Sequence, residues 1–163
     1  ELALQVRKEL EWVYSRTKAQ FASCVGGMDP RAERRTLESG AHIVVGTPGR
    51  LRDHIERGAL RLSDIKAVVL DEADEMLDMG FREDLTFILE KAPVSRRTLL
   101  FSATVPAQIA KMARTYQKEA IRISVSSKTT QHLDISYHAL KIQPSDRDKS
   151  IINLLRYHDV SGA

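Results

Sequence analysis

Cysteine occurs once in the 163 residues, at Cys24, so no disulfide can form within the chain and a reducing compartment is the default. No apolar run approaches the roughly 20 residues that span a bilayer, so no membrane is expected as a partner. The opening residues Glu1-Leu2-Ala3-Leu4-Gln5 lack the basic-then-apolar order of a secretory signal. They also lack an initiator Met and enter directly in helical rhythm, which suggests a piece excised from a longer polypeptide. Together these absences predict a cytoplasmic location. Neither sign of charge dominates, since 25 basic and 22 acidic residues leave a net +3. The five histidines (His42, His54, His132, His138 and His158) show no metal-ligand spacing, and each is expected to be structural or exposed. No internal repeat or low-complexity tract interrupts the chain. What is present is 42% apolar and 29% charged residues, enough for a packed core in one ordinary domain and a little more.

Leu2, Val6, Leu10 and Val13 recur at helical spacing, with Trp12 and Tyr14 broadening the stripe. Gln20 to Val25 reads as a short strand closed by Gly26-Gly27. Asp29-Pro30 then opens a helix with Asp at the cap and Pro at the first turn, stopping at Gly40. Further strands are expected at Ile43–Val45, Ala67–Leu70 and Thr98–Phe101, with helices over Leu51–Glu56, Glu75–Met79 and Glu83–Lys91, and from Pro106 through Tyr116. Ile121 to Val125 alternates like a half-exposed strand. Strands every 20 to 30 residues with helices between them are the rhythm of an α/β fold, a parallel sheet with helices on both faces. Ser126 to Gln131 reads as a linker. After it come a strand over Ile135–Ile142 and a helix over Asp146–His158, with Ile151, Ile152, Leu154 and Leu155 as its buried face. One strand and one helix cannot form a core, so they are expected to open a second domain.

The chemistry concentrates where the apolar run Ala67-Val68-Val69-Leu70 ends in Asp71, Glu72 and Asp74. Such a run reads as a buried parallel strand, and ligands bind outside the carboxyl ends of such strands. An acid there can hold Mg²⁺ through water while a second orients an attacking water. Carboxylates that merely open the next helix would look the same.

Thr47-Pro48-Gly49-Arg50, Asp71-Glu72-Ala73-Asp74 and Ser102-Ala103-Thr104 occur in that order, each just after a strand. Separations of 24 and 31 residues divide their first positions. With Glu1-Leu2-Ala3, Gly26-Gly27, Met76-Leu77 and Gly80-Phe81, they resemble the DEAD-box ATP-dependent RNA helicases over nearly the whole chain. The resemblance implies a RecA-like fold, with residues 1–125 as part of the first helicase domain, 126–133 as a linker and 134–163 as the beginning of the second. It implies ATP and Mg²⁺ as cofactors and RNA as partner. Asp71 would hold Mg²⁺ through water, and Glu72 would orient the water attacking the γ-phosphate. Asp74 would engage Ser102, Ala103 and Thr104, coupling nucleotide state to RNA; capping of the helix near Pro106 remains a second role for the two hydroxyls. Thr47, Pro48, Gly49 and Arg50, with Gly26 and Gly27, would bind RNA phosphates, which positions RNA without reading its sequence. Pro48 and Gly49 set the turn, and a side chain at Gly49 would obstruct the backbone's approach.

Arg31, Arg34 and Arg35 read as a solvated helix face with Glu33 and Glu38 interspersed, or as an extension of the RNA surface. Cys24 reads as a core residue. The phosphate-cradling G-x-x-x-x-G-K-[ST] is absent, since no Gly-Lys pair occurs. This polypeptide alone is therefore expected to hydrolyse no ATP. The resemblance implies that this loop follows a central strand of the RecA-like sheet. A sheet without that strand should expose unpaired edges, with dimerisation, strand exchange or marginal stability as the expected result. The competing readings are a non-catalytic RNA-binding module, a two-metal phosphohydrolase built on the three acids, and a RecA-like ATPase acting on something other than RNA.

Overall fold

The computed structural model describes residues 1–125 and 138–158, which fall into two compact units, Glu1–Ala120 and Ile121–Ala163. The first unit runs α1 (Leu2–Val13), β1 (Phe21–Cys24), α2 (Pro30–Glu38), β2 (Ile43–Gly46), α3 (Pro48–Glu56), β3 (Ala67–Leu70), α4 (Ala73–Asp78), α5 (Arg82–Lys91), β4 (Arg97–Leu100) and α6 (Ala107–Tyr116). The alternation read from the sequence is therefore present. The strands are all parallel, but among the described residues they form two pairs, β1 with β2 and β3 with β4, rather than one continuous ladder.

Local chemistry accounts for the element boundaries. Asp29 accepts a hydrogen bond from the Arg31 N–H at 2.9 Å, and Pro30 supplies the first helical φ of α2. Pro48 does the same for α3, so that helix begins inside the Thr47–Arg50 motif rather than after it. α4 likewise begins at Ala73, which places Asp74 in its first turn.

The core has three connected apolar clusters. Leu70, Ala73, Leu85, Leu89, Ile109 and Met112 form the one beneath β3 and β4. Ala22, Cys24 and Leu37 form another, and Leu62, Ile88 and Ala92 a third. Leu51 and Leu60 pack against both of the latter two, and Val68 bridges the third to the first. Leu89 and Ile109 are fully enclosed, and truncating either to Ala would cost about 2–5 kcal/mol.

Several expectations require correction. β3 is not buried on both faces: Val69 is 57% exposed, because its side of the strand has no covering layer among the described residues. Trp12, expected to widen the buried stripe of α1, is 74% exposed. Ile121 to Val125 forms no strand and is open to solvent, since alternation yields a strand only where a neighbouring strand supplies the ladder.

In the second unit, residues 138–142 are not a strand, and the start of the strand expected at Ile135 lies outside the described residues, as does the linker expected over 126–133. The helix expected there is present as a 3₁₀ turn at Pro144–Asp146 followed by α7 (Arg147–Tyr157). Its supposed buried face is exposed at Ile151, Ile152, Leu154 and Leu155. An amphipathic stripe is buried only against a second layer, and the described part of this unit has none.

Candidate functional site

Strand register decides which motifs meet. In the β3–β4 pair Leu70 is opposite Leu100, so in parallel strands the acids after Leu70 and the hydroxyls after Leu100 emerge at the same end. The ladder carries on beyond the strands: the Phe101 N–H donates to the Leu70 carbonyl at 2.8 Å, and the Ala73 N–H to the Phe101 carbonyl at 3.1 Å. In the β1–β2 pair Cys24 is opposite Gly46, which brings Gly26-Gly27 and Thr47 to one end in the same way. The Thr47 N–H donates to the Cys24 carbonyl at 2.9 Å.

Asp74 is buried and reaches the far loop through both main chain and side chain. Its Oδ2 accepts from the Thr104 N–H at 2.8 Å and from the Thr104 hydroxyl at 2.7 Å, while its own N–H donates to Ser102 Oγ at 3.2 Å. The Thr104 hydroxyl foremost, then that of Ser102, holds the carboxyl well below its usual pKa. Its other oxygen, Oδ1, is enclosed with no partner among the described residues. Ala103 is an exposed spacer between the two hydroxyls.

Asp71 and Glu72 are both exposed. Asp71 Oδ1 accepts the Glu72 N–H at 3.0 Å. Glu72 adopts left-handed backbone angles, φ 50° and ψ 47°, at the start of α4. That conformation costs a non-glycine residue about 1–2 kcal/mol and occurs preferentially at working sites. It allows the chain to turn abruptly from strand into helix, leaving Glu72 in solvent while Asp74 turns inward. The donor set suits Mg²⁺: Asp71 is a hard, exposed carboxylate whose second oxygen makes no hydrogen bond among the described residues.

Around α3, Thr47 occupies the cap position without a side-chain capping bond, which leaves its hydroxyl for other partners. Pro48 is buried. A Cβ on Gly49 would lie 3.7 Å from Asp84 Oδ2 and 3.9 Å from Phe81 Cε1, ordinary contacts, so nothing among the described residues demands glycine there. The close approach is at Gly46, where a Cβ would overlap the Cys24 carbonyl oxygen and stand 2.9 Å from Leu51 Cδ2. The two motif regions are tied through α3 and α5, where Arg52 donates to Asp84 at 3.1 Å. Gly26 and Gly27 are exposed, with φ +85° at Gly27, a conformation that favours glycine.

Arg50 is mostly enclosed: its Nε lies 3.5 Å from Glu33 Oε2, and its guanidinium donates to the Met28 carbonyl at 3.2 Å. Glu33 is not on the solvated face of α2, where Arg31, Arg34 and Arg35 do lie; it is 7% exposed, and it also binds buried His54 at 2.7 Å. The spacing from Leu37 carried the signal, because residues four apart share a helix face and Leu37 is buried. Cys24 Sγ, Glu33 and His54 gather within 4.8 Å of one another. Burial first, then the charge of Glu33, pushes the Cys24 thiol up to about 12, and the Arg50 cation already faces the carboxylate. That chemistry is a polar node in the core, and Cys24 is the core residue the sequence indicates.

A model of the DEAD/DEAH box helicase family matches residues 1–112, more than half of the chain. The chain belongs to this family. It is 41% identical over 155 residues to the DEAD-box ATP-dependent RNA helicase CshA of Geobacillus kaustophilus, covering 95% of the chain and 33% of that protein. CshA of Bacillus subtilis is 40% identical over the same share of the chain, and 31% of it is covered. Among solved structures, a DEAD box protein from Methanococcus jannaschii superposes with a TM-score of 0.73 at 37% identity, covering 95% of this chain and 41% of that one. The yeast DEAD-box splicing factor Prp28 superposes at 0.67 and 35% identity, covering 72% and 28%. The chain thus spans about a third of the length of the curated relatives it matches. In this DEAD-box chain the α/β architecture is the RecA-like one, and the three signature motifs stand at the ends of β2, β3 and β4.

Proposed function

We propose that the chain is the central part of an ATP-dependent RNA helicase: most of a first RecA-like domain, a linker over 126–133 and the start of a second domain. The carrying observation is the division of labour among the three carboxylates. Asp71 and Glu72 face solvent, while Asp74 is bound to the loop bearing Ser102 and Thr104.

Asp71 would hold the water shell of Mg²⁺, which neutralises charge on the phosphates when bound. Glu72 accepts a proton from, and so orients, the water in line with the γ-phosphate. Asp74 carries displacement of that rim to Ser102-Ala103-Thr104 through its three hydrogen bonds. Thr47, Pro48, Gly49, Gly26 and Gly27 present backbone and hydroxyl groups to RNA phosphates without reading bases, while Arg50 braces them. The phosphate cradle would come from residues outside this chain, so the 163-residue polypeptide alone is inactive as an ATPase. Its place of work is the cytosol, as the single enclosed thiol of Cys24 supports. Open strand edges on both two-stranded ladders favour self-association of the isolated polypeptide.

The test is Glu72→Gln in the full-length helicase. Its shape is kept while its basicity is lost, so RNA-stimulated phosphate release should fall by roughly a hundredfold or more, with ATP and RNA affinity retained. Unchanged turnover would remove Glu72 from the reaction.

A further inference from the structure

Beneath the two RNA-facing turns lies a buried charge that ATP hydrolysis does not use. Glu33, on α2, divides its carboxylate among three donors drawn from two other parts of the chain. Oε1 accepts the Val25 N–H at 2.9 Å, immediately before Gly26. Oε2 lies 2.7 Å from His54 Nε2 and 3.5 Å from Arg50 Nε, both on α3. Arg50 in turn donates to the carbonyl of Met28, immediately after Gly27. The double glycine is therefore held on each flank, at Val25 through Glu33 and at Met28 through Arg50. Both holds lead to the helix whose first turn is Pro48-Gly49-Arg50. The turn itself is closed only by the Met28 N–H donating to the Val25 carbonyl at 3.3 Å, among the described backbone bonds. A Cβ on either glycine would meet no atom within 4 Å beyond its chain neighbours.

We infer that Glu33 is a positioning residue for RNA binding, setting the distance between the Gly26-Gly27 turn and the Thr47–Arg50 turn so that both meet successive phosphates of one strand. The inference rests on the RNA-binding reading of those turns. An apolar side chain at position 33 would fill the space but leave the buried Val25 N–H without its acceptor and the largely enclosed Arg50 cation without its counter-charge. Buried polar networks specify one arrangement because every alternative leaves a group unpaired. Single-stranded backbone is a repeating array of anions, so the spacing between two gripping turns governs how many phosphates are engaged together.

The experiment uses the full-length helicase with Glu33→Ala, Glu33→Asp and Glu33→Gln, and oligouridylate as the probe. Dissociation constants for oligouridylate, the RNA KM and kcat of ATP hydrolysis, and affinity for a fluorescent ATP analogue without RNA are measured. In Glu33→Ala the Kd and KM for RNA should rise roughly tenfold, the size of one buried polar group losing its partner. The kcat at saturating RNA and the nucleotide affinity should stay within about twofold of wild type. Amide exchange should quicken at Val25–Met28. Glu33→Gln, which can still accept from Val25, should recover most of the RNA affinity. Glu33→Asp keeps the charge but is one methylene short, and serves if Glu33→Ala does not fold; it too should raise the RNA KM. RNA affinity within about twofold of wild type in Glu33→Ala or Glu33→Asp overturns the inference, as does a parallel loss of nucleotide affinity. Wild-type protein that fails to bind oligouridylate overturns the RNA reading itself, before any variant is made.

Discussion

A single oxygen of Asp74 accepts both the backbone N–H and the side-chain hydroxyl of Thr104, thirty residues further along the chain, at 2.8 and 2.7 Å. The bond pair fastens the helix that follows the acids to the loop that follows β4. Under the proposed function, that fastening is the contact through which movement at the acids would reach the Ser102–Thr104 loop.

Asp74 has its pKa depressed by folding, chiefly by the Thr104 hydroxyl. Its stabilisation is therefore full above the ordinary carboxyl value of 3.8 and is lost as pH falls through the lower folded value. Thermal melts should show Asp74→Asn less stable than wild type at neutral pH, with the gap closing below pH 3.8. Thr104→Val should lower the melting temperature at neutral pH, and Thr104→Ser should not. A gap that persists unchanged into acid would contradict the assignment.

Two glycines three residues apart should respond oppositely. Gly46→Ala forces a Cβ against the Cys24 carbonyl oxygen and Leu51, and should cost about 1–3 kcal/mol in denaturant melts. Gly49→Ala meets only ordinary contacts and should change stability by less than about 0.5 kcal/mol while weakening RNA binding. Equal destabilisation of both would refute the packing argument.

If RNA is held through its phosphates, log Kd should rise with log salt by about 0.7 per phosphate engaged. Oligonucleotides of equal length and unrelated sequence should bind within roughly a few fold of one another. Titrations at several salt concentrations, with two sequences, check both statements. A flat salt dependence would count against backbone contact.

The 163-residue polypeptide by itself should release no phosphate from ATP in the presence of RNA, and should self-associate. Light scattering and calorimetry that find a monodisperse monomer melting cooperatively would argue against the open-edge account.

Although α3 begins at Pro48 rather than at the expected Leu51, within residues 1–120 the order of elements, the cap at Asp29 followed by Pro30, and the placement of acids, hydroxyls and glycines after strands were legible in the sequence. These depend on interactions within a few residues: a proline presets one φ, and an Asp side chain reaches an N–H two positions on. The Leu37 spacing placed Glu33 on the inner face of α2, but only the tertiary structure decided that it braces two turns, and that the steric demand falls on Gly46 rather than Gly49. It also decided that Glu72 takes a left-handed turn, and that Val69 and the apolar residues of α7 stay exposed. Each of those outcomes depends on which distant surface arrives to cover a residue or pair with it. Parallel register, Leu70 against Leu100 and Cys24 against Gly46, sets that arrival, and no local pattern in the chain encodes it.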